Sequence, residues 1–186
     1  MFQFAKEGYP FIIVFASITL VSALLRLNWV TALALILTLF MFYFFRDPER
    51  TTPRNENAFI SPADGKVILI TKAKEEEVLM ETMRKISIFM SPLDVHVNRA
   101  PCDGTVKEVT HHPGMFYSAF KDDASILNEH ITMLMECGPH GPVVVKQIAG
   151  AVARRAVCRV KPGDALLQGQ RYGIIKFSSR ADIYLP

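Results

Sequence analysis

The C-terminal stretch GIIKFSSRADIYLP, residues 173–186, places Ser178 and Ser179 between an apolar run and an alternating tail. A serine hydroxyl is a weak nucleophile and needs a neighbouring base before it reacts. His96 in SPLDVHVNRAP could be that base, and Asp64 in SPADGKV could be the carboxylate that orients it. Spacing along the chain does not establish that Asp64, His96 and Ser179 meet, so this trio is a hypothesis.

Each of these residues also has a structural interpretation. Asp64 precedes a glycine, which is a common turn sequence. Asp94, His96 and Asn98 alternate along a predicted strand, so they share a face that is either solvated or one wall of a site. The sequence contains no G-x-S-x-G elbow, phosphate-binding loop or dinucleotide fingerprint. No histidine pair has the spacing of a zinc protease, and no metal site is predicted.

The first quarter of the chain is predicted to anchor the protein to a membrane. Pro10–Leu25 and Trp29–Phe45 are uncharged apolar runs, interrupted by Arg26 and Asn28. Each run is slightly shorter than the roughly 20 residues that a perpendicular spanning helix needs. Residues 1–50 therefore predict either a tight pair of spanning helices or a re-entrant helical hairpin, since backbone groups in lipid must bond internally.

Basic residues next to the apolar runs predict the orientation. Lys6 precedes the first run, and Arg46, Arg50 and Arg54 follow the second. The positive-inside bias puts both flanks, and hence the rest of the chain, on the cytoplasmic side of the cell (inner) membrane. Each arginine would attract an anionic lipid surface by roughly 1 kcal/mol. The net charge of +3 is too small to predict a nucleic-acid partner.

The rest of the chain is predicted to be mainly β. Residues 51–60 form a polar linker, and residues 61–186 form a small two-sheet or barrel-sandwich-like domain with short apolar runs between turn residues. The segment Lys72–Arg84 predicts either a short helix or a charged hairpin loop. The predicted strands are Lys66–Thr71, Lys85–Met90, Val95–Asn98, Thr105–Thr110, His130–Glu136, Val143–Ala149, Ala156–Val160 and Tyr172–Phe177.

The three cysteines, Cys102, Cys137 and Cys158, are widely spaced and odd in number. This pattern is neither a disulfide framework nor a zinc signature. It favours buried or idle thiols in a reducing compartment.

Six motifs, taken together and in order, resemble the phosphatidylserine decarboxylase family in its short bacterial and archaeal form. The last motif is the most specific, because the family has a Gly-Ser pair at the position of Ser178-Ser179. The motifs are SPADGKV (61–67), MSPLDVHVNRAPCDGTV (90–106), HHPGMF (111–116), LNEH (127–130), IAGAVARR (148–155) and GQRYGIIKFSSRADIYLP (169–186).

The resemblance implies a self-processing decarboxylase. Ser179 matches the serine that attacks the preceding carbonyl group, which cuts the chain between 178 and 179 and leaves a covalent pyruvoyl group. Asp64 and His96 match the pair that activates this serine. The pyruvoyl ketone then takes up the electrons released when phosphatidylserine loses carbon dioxide to give phosphatidylethanolamine, and no metal is implied.

The resemblance also implies partners and substrate contacts. The partners are phosphatidylserine, anionic membrane lipids and the chain's own cleaved C-terminal subunit. A homodimer is a further expectation, because a small β domain has exposed edges. Asn98, Arg99, His112, Arg171 and Arg180 are candidates for holding the substrate, and each arginine is otherwise an ordinary surface charge.

The chain departs from the family pattern at Ser178, where the family has glycine. Self-cleavage needs a strained backbone and an open approach to the carbonyl group, and glycine allows both at the lowest steric cost. Serine at 178 therefore predicts either an uncleaved, inactive precursor or slow cleavage. The family often continues with further strands where this sequence stops at Pro186.

Two alternatives from other classes stay open at this stage. The stretch PGDALLQGQRYGII resembles a half-motif of lipoyl-like domains, which would fit a non-catalytic membrane-tethered barrel-sandwich adaptor. A serine hydrolase using Ser179 and His96 is the other, although the sequence has no oxyanion-hole signature.

Overall fold

The computed structural model describes residues 3–53, 55, 58–120, 124–151, 155–177 and 179–186, so the predictions for Ser178 and Arg54 lie outside the described residues. The chain divides into two compact units, Met1–Glu49 and Arg50–Pro186. The predicted fold class is confirmed, because two antiparallel sheets follow an N-terminal pair of apolar helices.

The first unit is a helical hairpin. Helices α1 (Tyr9–Leu24) and α2 (Asn28–Phe44) are joined by a turn in which Arg26 has a φ of 56°. Polar side chains bond between the helices: the Oγ1 atoms of Thr19 and Thr38 lie 3.1 Å apart, and Thr31 Oγ1 donates to Ser22 Oγ at 3.0 Å. Such bonds satisfy polar groups inside an apolar pair.

Among the described residues, one helical stretch, Lys6–Leu24, is long and apolar enough to cross a membrane, and α2 is shorter. The two ends of the hairpin meet, since Ala5 N donates to Phe45 O at 2.8 Å and Asp47 N donates to Gln3 O at 2.8 Å. Both ends of the hairpin therefore lie on the same side, as either predicted arrangement requires.

In the part of the second unit that the structure describes, there are ten strands and a short α-helix, α3 (Ala124–Leu127). A seven-stranded antiparallel sheet has the order β1-β2-β10-β6-β5-β4-β8, and a three-stranded sheet has the order β3-β9-β7. The strands are β1 (Lys66–Lys74), β2 (Thr82–Met90), β3 (Val97–Arg99), β4 (Gly104–His112), β5 (His130–Glu136), β6 (Pro142–Ala149), β7 (Arg155–Cys158), β8 (Ala165–Leu166), β9 (Arg171–Lys176) and β10 (Ser179–Leu185).

The C-terminal strand β10 lies inside the large sheet, between β2 and β6. Its residues are buried from Ser179 to Tyr184. Alternate residues of a strand point to opposite faces, and the two faces of β10 differ in chemistry. Ala181 and Ile183 belong to the apolar core clusters, whereas Arg180 and Asp182 carry charge on the opposite face.

The segment Lys72–Arg84 is a hairpin and not a helix. Strands β1 and β2 extend into it and pair up to Lys74↔Thr82, so the loop between them spans residues 75–81. Glu75 is fully buried at the start of this loop and accepts hydrogen bonds from the backbone N–H groups of Glu77, Val78 and Leu79. These bonds hold the loop in a defined shape, and the charged-loop alternative is the one that forms.

The prediction of free thiols is wrong for two of the three cysteines. Cys102 and Cys137 form a disulfide, and only Cys158 is free among the described residues. The pairing follows from strand register: β4 and β5 are antiparallel partners from Thr105↔Glu136, which brings the residues just outside this pair together. The two cysteines are 35 residues apart in the sequence, so local sequence patterns do not indicate this register.

Candidate active site

Ser179 is the first residue of β10, at the end of the large sheet where β2 and β6 finish. Its register partners are Met90 and Ala149. The residue is fully buried, and its Oγ atom has no hydrogen-bond partner among the described residues. A buried hydroxyl without a partner costs roughly 1–3 kcal/mol. Ser178 lies outside the described residues, so the peptide between the two serines has no described geometry.

His96 is fully buried in the connection from β2 to β3. Its Nδ1 atom lies 3.0 Å from the carbonyl oxygen of Asp94. A carbonyl oxygen only accepts, so this hydrogen bond assigns the proton to Nδ1 and leaves the lone pair of the neutral ring on Nε2. This is the tautomer that a general base needs.

The small sheet holds His96 next to the segment that leads into Ser179. Val97 pairs with Ile174, and the N–H group of Ile175 donates to the carbonyl oxygen of His96 at 3.2 Å. Ile175 shares an apolar cluster with Met90, the register partner of Ser179. The fold therefore brings the His96 segment and the start of β10 to one end of the domain.

Asp64 lies at this same end of the domain but contacts a different partner. It precedes β1, where Lys66 pairs with Phe89, the residue before Met90. The Asp64 carboxylate binds Arg50 Nη2 at 2.5 Å, and about half of each side chain is exposed (43% and 48%). The group that orients His96 Nδ1 is the Asp94 carbonyl oxygen. The described contacts therefore bring Asp64 and Ser179 to one end without an Asp64–His96 hydrogen bond.

The predicted polar stripe on one strand does not form as expected. Strand β3 begins at Val97, so Asp94 and His96 precede it and only Asn98 lies within it. The Asp94 carboxylate instead closes a turn by accepting from the backbone N–H and the hydroxyl of Ser91, at 2.8 and 2.7 Å. This turn sets the position of the carbonyl group that binds His96.

The predicted substrate contacts have different surroundings. Asn98 is fully buried and accepts from Gln147 Nε2 at 2.8 Å, which joins the two sheets. Arg99 is partly buried and donates from Nη1 to Gly169 O at 3.0 Å. Arg171 is also partly buried, at the start of β9. Each of these residues lies on or beside the small sheet.

Arg180 is fully buried on the polar face of β10. Its Nε donates to Asp182 Oδ1 at 2.6 Å, and its Nη2 donates to Ser87 Oγ at 2.8 Å. Lys85 Nζ lies 3.0 Å from Asp182 Oδ2. The positive charge of Arg180 is therefore balanced inside the protein by a carboxylate on its own strand.

A second set of polar groups on this face was not predicted from the sequence. Glu77, from the β1–β2 loop, accepts from Lys146 Nζ at 2.6 Å, from His130 Nε2 at 2.9 Å and from Thr132 Oγ1. The ring of His112 stacks on that of His130, with the centroids 4.6 Å apart. The available signal was a lysine in the middle of the apolar run Val143–Ala149.

Glu77, His112 and His130 have the arrangement of three metal ligands, because their candidate ligand atoms lie within 4.8 Å of one another. The surrounding charges do not favour a cation there. Lys146 is bonded to the Glu77 carboxylate and lies 3.6 Å from that of Glu75, so a divalent ion bound by Glu77 would lie close to an ammonium group. We interpret the arrangement as a hydrogen-bonded ion network.

The ionisation of buried Glu75 and partly buried Glu77 follows from this network. Burial opposes the charged form of Glu77, but hydrogen bonds from His130, Lys146 and Thr132 outweigh it and hold its pKa well below the usual range. Burial likewise opposes ionisation of Glu75, and the backbone N–H groups of the loop with nearby Lys146 lower its pKa overall. For His112, burial is the largest cause of a lowered pKa, and the Glu77 charge acts against it.

The free energy of unfolding should therefore fall in acid. Both glutamates have folded-state pKa values below the 4.5 of a free side chain, so their contribution is complete above that pH and is lost as the pH falls through the folded pKa values. Denaturant titrations at a series of pH values from about 7 to about 3 measure this slope. Glu75→Gln should flatten it, while Glu76→Gln changes an exposed neighbour and should not. An unchanged slope in Glu75→Gln would contradict the assignment.

Comparisons with known proteins point in one direction. The sequence model described as phosphatidylserine decarboxylase matches residues 37–186. The chain is 48% identical over 182 residues to a phosphatidylserine decarboxylase proenzyme of Geotalea uraniireducens, covering 98% of this chain and 85% of the relative. It is 49% identical over 181 residues to the proenzyme of Syntrophotalea carbinolica, covering 97% and 85%. The proenzyme of Magnetococcus marinus is 44% identical over 183 residues, covering 98% and 84%.

Proposed function

Because the chain belongs to the phosphatidylserine decarboxylase family, we propose that it converts phosphatidylserine to phosphatidylethanolamine with a pyruvoyl group made from its own Ser179. The observation that carries this proposal is the buried Ser179 hydroxyl, which has no hydrogen-bond partner among the described residues. Folded proteins seldom leave such a group without a role. A side chain held ready to react is the role that fits its position at the start of β10.

The activation of Ser179 is assigned to His96. Its Nε2 lone pair accepts the hydroxyl proton, and the serine oxygen attacks the carbonyl carbon of residue 178. The peptide C–N bond breaks as an ester forms. Loss of the α-proton of residue 179 then expels the carboxylate of residue 178, and hydrolysis of the resulting dehydroalanine releases ammonia. The pyruvoyl group so formed supplies the electron sink for decarboxylation.

The new C-terminal subunit, residues 179–186, would remain in place after cleavage. Strand β10 pairs with β2 on one side and with β6 on the other, and nearly all of it is buried. The partner of the C-terminal subunit is then the N-terminal subunit, residues 1–178. A homodimer is a separate proposal, and the mass of the purified chain in solution tests it.

The substrate-binding set is narrower than the sequence suggested. Arg180 is bonded to Asp182 and Ser87, so we assign it to holding the strand and not to the lipid. Asn98 joins the two sheets through Gln147. Arg99 and His112 are partly exposed and remain our candidates for the phosphate or carboxylate of the substrate.

We place the catalytic unit on the cytoplasmic side of the inner membrane, on the basis of Arg46, Arg50 and Arg54. The Cys102–Cys137 disulfide weighs against this side, because disulfides are rare in the reducing cytosol. Protease accessibility of residues 61–186 in inside-out and right-side-out vesicles decides the side.

The proposal is tested by release of labelled carbon dioxide from carboxyl-labelled phosphatidylserine in vesicles. The full chain carrying Ser178→Gly should release it, and the chain carrying both Ser178→Gly and Ser179→Ala should not. Equal release by the two variants would overturn the role of Ser179. A non-catalytic adaptor predicts no release by either variant, and a serine hydrolase predicts labelling of Ser179 by a fluorophosphonate.

The base role of His96 has its own test. In the Ser178→Gly chain, His96→Gln should slow cleavage by about 10²–10⁴-fold, the usual contribution of a general base. His111→Gln is the control, because His111 is exposed and contacts Glu129. The fraction cleaved is followed over time by intact mass. Equal cleavage rates in the two histidine variants would remove His96 from the mechanism.

A further inference from the structure

An exposed apolar segment lies beside the start of β10. The described residues 113–120 and 124–127, which we call the lip, contain no charged residue, and Lys121, Asp122 and Asp123 separate them in the sequence. Most of their large apolar side chains face solvent: Met115, Phe116, Tyr117, Phe120, Ile126 and Leu127. Such a concentration of exposed apolar side chains marks an interaction surface. We propose that the lip inserts into the lipid bilayer and brings the Ser179 end of the sheet to the membrane surface, an inference that rests on the proposed function.

The lip is tied to the sheet at the position of Ser179. Asn128 follows the lip and is fully buried. Its Oδ1 accepts from Tyr117 N at 3.0 Å, and its Nδ2 donates to Tyr117 O at 2.8 Å and to Ala149 O at 2.7 Å. Ala149 is the register partner of Ser179. One buried side chain therefore links the lip to the strand position next to the candidate nucleophile.

The root of the lip has a fixed backbone. Met115 N donates to Leu127 O at 2.8 Å, and Glu129 N donates to Met115 O at 2.9 Å. Gly114 allows this close approach, because a Cβ atom there would lie 2.5 Å from the carbonyl carbon of Asn128. The two arms of the lip are thus held together at their base.

The surroundings of the lip fit a lipid surface better than a protein partner. The ring of Phe120 packs edge-on against Phe89 at 5.6 Å, and Phe89 is the register partner of exposed Lys66. Apolar side chains next to a cation suit the membrane–water interface. There the apolar side chains enter the acyl region, and Lys66 contacts the lipid headgroups. The chain also carries an apolar hairpin, and its proposed substrate has acyl chains that are costly to remove from the bilayer.

The test measures contact with lipid acyl chains directly in the full chain. Trp29→Phe removes the only tryptophan. One reporter is then introduced into each chain by Phe116→Trp or Ile126→Trp in the lip, and by Leu167→Trp as the control. Ile126 and Leu167 are equally exposed at 68%. Leu167 follows β8, which pairs with the start of β4, whereas the lip follows the end of β4.

The proteins are reconstituted in vesicles of phosphatidylcholine and an anionic phospholipid, with or without brominated acyl chains. We expect the lip reporters to be quenched several-fold more strongly than the control. Equal quenching at all three positions would overturn the proposal. A second copy of the chain could also cover the lip. In that case the lip tryptophans would become shielded from water only as the protein-to-lipid ratio rises, and bromine would not quench them. This result would also overturn the proposal.

Quenching requires neither cleavage nor catalysis, so its outcome is independent of the proposed function. A second measurement joins the two. In the Ser178→Gly chain, Phe116→Ser with Ile126→Ser should raise the KM for phosphatidylserine in vesicles and leave that for a soluble short-chain phosphatidylserine unchanged. An equal rise for both substrates would indicate damage to the site and contradict the lip's role at the membrane.

Discussion

Replacing Ser178 with glycine should convert the intact chain into fragments 1–178 and 179–186, at a rate on the order of 10²-fold or more above that of the original sequence. The reason is steric. Glycine permits backbone conformations that a residue with a Cβ atom adopts only with strain, and it clears the approach to its own carbonyl carbon. Ser179 Oγ is buried and has no hydrogen-bond partner among the described residues, so no described hydrogen bond holds it away from the attack. Intact mass measured over time gives the rate.

Two further variants separate the causes. Ser178→Ala removes the hydroxyl group but keeps Cβ, so it should stay as slow as the original chain if backbone freedom is what limits cleavage. Ser178→Gly combined with Ser179→Ala should not be cleaved at all. Cleavage of Ser178→Ala at the rate of Ser178→Gly would refute the steric explanation, and cleavage of the double variant would refute the nucleophile.

Removing the Asp182 carboxylate should destabilise the β unit by about 3–5 kcal/mol, the cost of leaving buried charges without their partner. Asp182 is fully buried and contacts two cations, Arg180 at 2.6 Å and Lys85 at 3.0 Å. Asp182→Ala leaves both cations on a buried face of the central strand. Chemical denaturation of the full chain in detergent, followed by a signal from the β unit, measures the difference.

The matched control for this prediction is Glu76→Ala, which removes an exposed carboxylate. It should change the free energy of unfolding by less than about 0.5 kcal/mol, as is usual for surface positions. A similar small change in Asp182→Ala would contradict the view that the polar face is an integral part of the fold. Ser87→Ala, which removes one acceptor of Arg180, should fall between the two.

Much of the fold could be predicted because the strands are short apolar runs between turn residues. The runs around Ile88, Met133 and Val145 each form a strand of the large sheet within a few residues of the predicted bounds. What the sequence could not reveal was strand order. The insertion of β10 between β2 and β6 is a long-range pairing, and local patterns carry no information about it.

The same limit applies to the candidate site. Ser179, His96 and Asp64 were named from residue type and motif, but which groups contact one another depends on side-chain direction. His96 is oriented by the Asp94 carbonyl group. Every residue has a backbone carbonyl group, so residue types do not indicate which one accepts a hydrogen bond. Glu77 was hidden for a related reason. Its partners His130 and Lys146 lie more than fifty positions further along the chain, and only the sheet register brings them together.

The central claim is that Ser179 becomes the catalytic group, and the mass of the C-terminal fragment tests it most directly. In the Ser178→Gly chain, fragment 179–186 should be lighter by one ammonia than the same peptide with an intact serine at its N-terminus. It should also react with a hydrazine that labels ketones, in parallel with release of carbon dioxide from phosphatidylserine. A fragment that keeps its serine mass and takes up no hydrazine, while the protein still decarboxylates the lipid, would contradict the account.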